Sequence, residues 1–303
     1  MPDPREPITR LPFAPAQKPE LGVEIFKLSE LFARLPAAEL DGPLRLDFHL
    51  VYVGLRGRGE ILVDFAAAPI GAGWITAVAR GRVHHYTPAS RRADAWMLLF
   101  APERVAAGGA GDPLRASALL ASHGAPALEV GARERDAIAG ACERIAAEYA
   151  RPLDGVQAAL IAAELRALLL GAERLARASA SPVPAALAPF YAALDRDVLA
   201  ERSVAHYARA AGLSQRALGE LLRAHDGRTT KQVILDHLVL EAKRLLAHTD
   251  VSIKALSARA GFSEPTNFVK LFHDHAGETP AAFRARFHHR STGSHLGGRR
   301  GDR

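Results

Sequence analysis

One cysteine, Cys142, stands in a chain of 303 residues. A disulfide framework and a cysteine-built zinc site are thereby excluded, and a reducing compartment is the expected home. No long apolar run is present either. The longest stretch, Ala158–Ala172, is interrupted by Glu164 and Arg166 and is too short and too charged to span a bilayer, so no membrane partner is expected. The opening "MPDPREPITRLPFAPAQ" has no apolar segment of the kind a signal peptide needs. No His-x-His with a following Glu occurs among the strand-like segments, so neither a metal nor another cofactor is expected.

What is present is ordinary in amount and uneven in distribution. Apolar residues make up 49% and charged residues 24%, as in a soluble globular protein of two domains. The net charge is +6. Residues 1–189 hold 21 Lys+Arg and 21 Asp+Glu, whereas residues 190–303 hold 18 and 12, so the whole excess is C-terminal. A neutral half joined to a basic half suggests that only the second meets a polyanion.

Residues 1–20 read as a flexible lead-in. From residue 21 to residue 112 short apolar runs alternate with Gly and Pro. "LRLDFHLVYVG" predicts a strand, "GLRGRGE" a glycine-rich turn, and "ILVDF" (Ile61–Phe65) a resumed strand. "APIGAGWITAVARGRVHHY" and "DAWMLLF" continue the series, which predicts an antiparallel sandwich or barrel. Residues 113–180 change character. Ala132–Ala150 and Leu153–Ala178 carry apolar positions at helical spacing, separated by Arg151–Pro152, and predict an antiparallel helical hairpin. The second of these helices is apolar around much of its circumference, as expected either if it packs on the strands and on a second copy of itself or if it simply caps the barrel. Residues 181–189 read as a linker, residues 190–287 as all-helical, and residues 288–303 as a disordered tail.

The helical part contains a repeat. Gly212 and Ser214 match Gly261 and Ser263 at an offset of 49, and Leu218, Leu221, Leu222, Gly227 and Thr229 match Phe268, Leu271, Phe272, Gly277 and Thr279 at an offset of 50. One residue is inserted just after the serine. Each copy follows a short helix, "VAHYARAAG" or "IKALSARAG", giving helix, glycine turn and capped helix, the helix-turn-helix plan. Gly212 and Gly261 supply positive φ. Ser214 and Ser263 stand as N-caps. The residues left on the outer faces are Gln215, Arg216, Gly219, Glu220 and Arg223 in the first copy and Pro265, Thr266, Asn267, Lys270 and His273 in the second. In a major groove Arg suits guanine, Asn adenine and Glu cytosine. "KQVILDHLVLEAKRLLAHT" predicts one long helix joining the two copies.

On "SVAHYARAAGLSQRALGELLRAHDGRT", "LVLEAKRLLAHTDVSIKALSARAGFSE" and "NFVKLFHDHAGETPAAFR", the chain resembles the AraC/XylS family of bacterial transcription regulators. The resemblance covers Phe190–Phe287, about a third of the chain. It implies two helix-turn-helix units entering successive major-groove segments, with base-reading positions at Arg216, Gly219 and Glu220 and at Thr266, Asn267 and Lys270. Gly219 has no side chain to read with, Glu220 stands where the family often has a basic residue, Pro265 lies in the first turn of the second reading helix, and Val239 replaces a common arginine.

The N-terminal half resembles, less specifically, the cupin-like sensor of the same family, on "VDFAAAPIGAGWITAVARGRVHHY". The implied fold is α+β and multidomain: a cupin-like antiparallel barrel with a helical hairpin, then an all-α domain with two helix-turn-helix units. The implied ligand is a small organic, often aromatic, acid in the barrel. Its expected lining is His49, Tyr52, His84, Tyr86 and Trp96, with Arg45 or Arg56 for a carboxylate. The expected function is a cytoplasmic, effector-responsive transcriptional activator without enzymatic activity. Its expected partners are double-stranded DNA, the effector, a second copy of the chain through the hairpin, and RNA polymerase. The alternatives are an effector-independent DNA-binding regulator and a cupin-type enzyme with a helical appendix.

Overall fold

A computed structural model describes residues 10–11, 13, 18–36, 40, 43–104, 112–117, 119–121, 126–179 and 183–287. The expected flexible lead-in and linker lie partly, and the C-terminal tail wholly, outside the described residues.

The N-terminal half is built on one long strand. Strands β1 (Arg10–Leu11), β2 (Val23–Lys27), β3 (Leu44–Leu46), β4 (His49–Val63), β5 (Ala66–Gly71), β6 (Trp74–Val78), β7 (Val83–Tyr86), β8 (Ala93–Phe100) and β9 (Ala127–Glu129) form two sheets joined through β4. Helix α1 (Leu28–Arg34) follows β2. The first part of β4 pairs antiparallel with β6 and β8, and its last part with β5 and β7. Apart from the parallel β1–β3 contact, every described pairing is antiparallel.

Here the structure corrects one expectation. "GLRGRGE" is not a turn; it is the middle of β4, with a bulge between Gly54 and Arg56. A Cβ at Gly54 would lie 1.6 Å from the Gly71 carbonyl oxygen, and one at Gly57 2.1 Å from that of Arg92. These glycines let β4 bend from one sheet into the other while neighbouring backbone crosses at close range. The chain reversal comes at Asp64–Phe65, between the paired Val63 and Ala66.

Alternation along the strands sorts the side chains. Leu50, Tyr52, Ile61, Val63, Ile70, Val78 and Met97 face inward between the sheets. Val51, Val53, Ile75, Trp96, Leu98 and Phe100 face outward onto two helices, α2 (Ala132–Ala150) and α3 (Gln157–Ser179), meeting Ile138, Cys142, Ile145, Leu165 and Leu169. Helix α3 begins later than its apolar pattern suggests. The Asp154 carboxylate accepts the N–H groups of Val156 and Gln157 and sets the first turn there.

The C-terminal half is all helical: α4 (Ala188–Asp197), α5 (Val204–Ala210), α6 (Gln215–Asp226), α7 (Thr230–His248), α8 (Ile253–Arg259), α9 (Pro265–Ala276) and α10 (Pro280–Phe287). Its core gathers Phe190, Leu194, Tyr207, Leu218, Leu222, Leu238, Leu246, Leu256, Phe268, Phe272 and Phe283, with α7 running through it. The repeat is visible in the caps. Ser203 and Ser252 cap α5 and α8 in the same way, each accepting an N–H three residues on. Gly227 and Gly277 end α6 and α9, both at φ 74°.

Candidate nucleic-acid interface

Each helix-turn-helix unit is assembled from local signals. In the first, α5 stops at Gly212 (φ 66°), and Ser214 accepts the Ala217 N–H to start α6. In the second, α8 stops at Gly261 (φ 72°), but the N-cap of α9 is Glu264, with no side-chain cap bond, and Pro265 opens the helix. Ser263 is therefore not the cap expected of it. The inserted residue moves the helix start by one position, and proline at the first position lacks an N–H to satisfy.

The apolar stripes of α6 and α9 turn inward. Leu218 and Leu222, and Phe268 and Phe272, are fully buried, with Leu221 and Leu271 partly so. That leaves Gln215, Arg216, Glu220 and Arg223 exposed on α6, with Gly219 half-buried between them. On α9, Thr266, Asn267, Lys270 and His273 are exposed. Arg216 Nε donates to Glu220 Oε1 at 2.9 Å along the helix, with both side chains largely in water at 88% and 60% exposure.

The α6 face is the wall of a groove of about 530 Å³ that also includes Val204 and, from the start of α7, Thr229, Thr230 and Lys231. A Cβ added at Gly219 would sit 3.7 Å from Thr230 Oγ1, an ordinary contact, so the glycine leaves the floor open rather than relieving a clash. Thr229, Thr230 and Lys231 were not among the residues expected from sequence. Their signal was there: Thr229 and Gln232 form a capping box at the head of α7.

The two units are fixed to each other by contacts the sequence pattern did not single out. Asp236 on α7 accepts from Arg228 Nη1 and bonds His275 Nδ1 of α9, both at 2.9 Å. Arg202, just before α5, stacks its guanidinium 4.3 Å from the Phe262 ring centre and donates to the Gly261 carbonyl at 2.9 Å. Two exposed polar faces are thus held at a set separation by one helix, which can place both against one rigid polyanion.

The seven residues expected to line a ligand pocket separate into four places. Tyr52, His84 and Tyr86 meet between the sheets: the Tyr52 hydroxyl lies 2.8 Å from His84 Nε2 and 3.0 Å from the Tyr86 hydroxyl. Burial keeps His84 neutral, lowering its pKa to about 3, and raises that of Tyr52 well above the ordinary value. His49 and Trp96 lie on the other face of the sheet, toward the helical hairpin. His49 stacks on Phe100 with ring centres 5.4 Å apart, and burial, helped by Arg80, lowers its pKa to about 4. Arg45 pairs with Glu241 of α7. Arg56 lines an open cleft of about 530 Å³ with Ser29, Phe32, Arg91, Arg92 and Asp94. Among the described residues, no group of three His, Cys, Asp or Glu could hold a metal ion, and no helix is long and apolar enough to cross a membrane.

Known proteins resemble the chain mainly at this interface. The helix-turn-helix domain family matches residues 207–286, from within α5 to within α10. The transcriptional activator NphR of a Rhodococcus species is 33% identical over 85 residues, 28% of this chain and 25% of that protein. The chain therefore matches about a quarter of the length of that curated relative. A solved regulator of Chromobacterium violaceum, described as having an AraC-type DNA-binding domain, is 25% identical over 33% of this chain and 90% of its own, with a TM-score of 0.32. The structure of apo ToxT from Vibrio cholerae covers 88% of this chain and 97% of its own at 11% identity and a TM-score of 0.41. Residues 207–286 of this chain are a helix-turn-helix domain.

Proposed function

We propose that the protein is a sequence-specific DNA-binding regulator of transcription that works in the cytoplasm as a homodimer. The observation that carries this reading is the pair of exposed polar helix faces on α6 and α9, locked together through α7 and Asp236. Arg216, Glu220 and Arg223 read one major-groove segment, together with Gln215 and the open floor at Gly219, while Thr266, Asn267, Lys270 and His273 read the next. Thr229, Thr230 and Lys231 at the head of α7 contact phosphate. The similarity to a transcriptional activator supports activation, with RNA polymerase as the protein partner. Dimerisation is supported by Leu153, Val156 and Leu160, which expose 48%, 60% and 47% of their surface around the start of α3.

Selection of binding sites from a random pool of double-stranded DNA tests the reading. A recovered consensus of two segments about one helical turn apart is expected, with steep salt dependence. If no duplex binds better than random sequence at physiological salt, the reading is wrong.

In the N-terminal half, the Tyr52 hydroxyl is engaged on both sides, by His84 Nε2 and by the Tyr86 hydroxyl. That favours a second reading, a regulator with no effector. A small aromatic acid that raises the melting temperature in a dose-dependent way supports the effector-responsive form, and the absence of any such acid supports the second.

A further inference from the structure

The β4–β5 reversal carries two residues in an uncommon backbone conformation, both engaged with the DNA-binding half. Asp64 and Phe65 have φ of 50° and 69°. A two-residue hairpin turn with both φ positive normally takes Asn or Asp followed by Gly, and a phenylalanine there is strained. The strain is matched by what the tip holds. The Asp64 side chain is only 7% exposed and accepts from Arg244 Nε and Nη2 on α7, each at 2.9 Å, from Arg82 Nε at 2.8 Å and from the Val83 N–H at 3.0 Å. Beside it, Arg45 of β3 forms a bidentate pair with Glu241, one helical turn before Arg244, at 2.8 and 3.2 Å. The Phe65 ring lies 5.0 Å from that of Phe283 and 5.1 Å from that of Phe287, at the end of the second helix-turn-helix unit.

The chemistry of this contact suits a fastening that opens. Two buried charges gain their mutual attraction by losing their water, so a buried ion pair adds little net adhesion while fixing one geometry. Separated, Asp64, Arg244, Arg45 and Glu241 each regain hydration. The contact therefore sets the orientation of the halves more than it glues them. It is also wired inward. The Asp64 N–H donates to the Val83 carbonyl at 2.8 Å, and Val83 immediately precedes His84 of the Tyr52–His84–Tyr86 cluster. A shift of β7 at that cluster moves the carboxylate that holds Arg244.

We propose that Asp64, Phe65 and Arg45 form a latch on α7 and α10, that they are positioning residues for the two reading helices, and that its opening is how the N-terminal half controls DNA binding. The last clause rests on the DNA-binding function proposed above.

The test uses the full chain with fluorophores on Arg133→Cys and Lys254→Cys, exposed on α2 and α8, read as a single-molecule distance distribution. Glu241→Arg and Arg45→Glu should each broaden the distribution and shift affinity for a selected DNA site by fivefold or more. The double variant should restore both to within twofold of the parent. Phe65→Gly gives a second route, because it removes the ring while giving the turn the residue it prefers; it too should broaden the distribution with the melting temperature of the N-terminal half unchanged or raised. Parental distance distributions in the single variants and in Phe65→Gly overturn the latch. A broadened distribution with unchanged DNA affinity overturns its positioning role, and so does a loss that the double variant fails to reverse. Should the parent prefer no DNA sequence, the DNA-binding function falls, and the distances alone still decide whether the latch exists.

Discussion

Replacing Arg216 with alanine separates reading from folding, because the structure assigns this side chain almost no folded-state task. Among the described residues its one side-chain partner is Glu220, four residues on, and 88% of the Arg216 side chain is exposed. An exposed helical pair of this spacing contributes about 0.3–0.5 kcal/mol, so stability should hardly change. If Arg216 forms the bidentate contact with a guanine, its removal weakens binding by roughly 1–3 kcal/mol, about 5- to 150-fold, at one base position. The assay is competition binding against a set of duplexes carrying every single-base change in a selected site. Arg216→Ala should flatten the preference at one position and leave the others intact. Glu220→Ala should do something different: it frees the guanidinium and removes a carboxylate from the groove, so total affinity rises while preference at any neighbouring cytosine falls. Uniform weakening by Arg216→Ala at every position, with the salt slope reduced by about one, would refute base reading and leave Arg216 a phosphate contact.

Three further outcomes follow from packing and charge. Phe272 is fully buried against Phe268 and Phe283, with ring centres 6.1 and 5.8 Å away. Phe272→Ala should destabilise the C-terminal half by about 3–5 kcal/mol. Both tryptophans, Trp74 and Trp96, lie in the other half, so the circular dichroism transition should then precede the fluorescence transition. Gly54→Ala sets a methyl group 1.6 Å from a backbone oxygen that no rotamer change can move, and should cost roughly 3 kcal/mol or more, read by tryptophan fluorescence in denaturant. Finally, His84 and His49 titrate at about 3 and about 4 in the folded chain, both below the ordinary 6.5. Between those values and 6.5 the unfolded chain binds protons that the folded chain does not. Stability is therefore fully present above pH 6.5 and declines as the pH falls toward 3, by at most about 1.4 kcal/mol per pH unit for each histidine. His84→Phe should flatten that decline, and an unchanged slope would count against the burial argument.

The helical half was legible because its signals are local. Ser214, Gly212, Gly227 and the Leu218/Leu222 stripe each act within one or two turns, and the repeat displays them twice. Pro265 shows where such reading slips: one inserted residue moved a cap from Ser263 to Glu264 without disturbing the stripe. The N-terminal half was legible as strands but not in its course. Glycines in "GLRGRGE" look like a turn because turns favour glycine, yet here they admit crossing backbone. The actual reversal uses Asp64 and Phe65, residues without a turn signature at the second position. The contact between the halves could not be read at all. Arg45 and Glu241 are 196 residues apart, and Asp64 and Arg244 180, and each looks like an ordinary surface charge until the fold removes its water.

The single thiol gives the N-terminal half an internal clock. Cys142 is buried where α2 meets the sheet, and burial pushes its pKa up to about 12 from an ordinary value of 9.0. At neutral pH its thiolate is then about a thousandfold rarer than that of a free cysteine, and the thiolate is the species that alkylating reagents attack. Modification of the folded chain must wait for the helical hairpin to lift from the sheet. The rate at which a maleimide consumes Cys142 therefore measures how often that lifting happens, in the natural sequence and without an added label. The same protection lets cysteines introduced elsewhere be labelled selectively in the unaltered background.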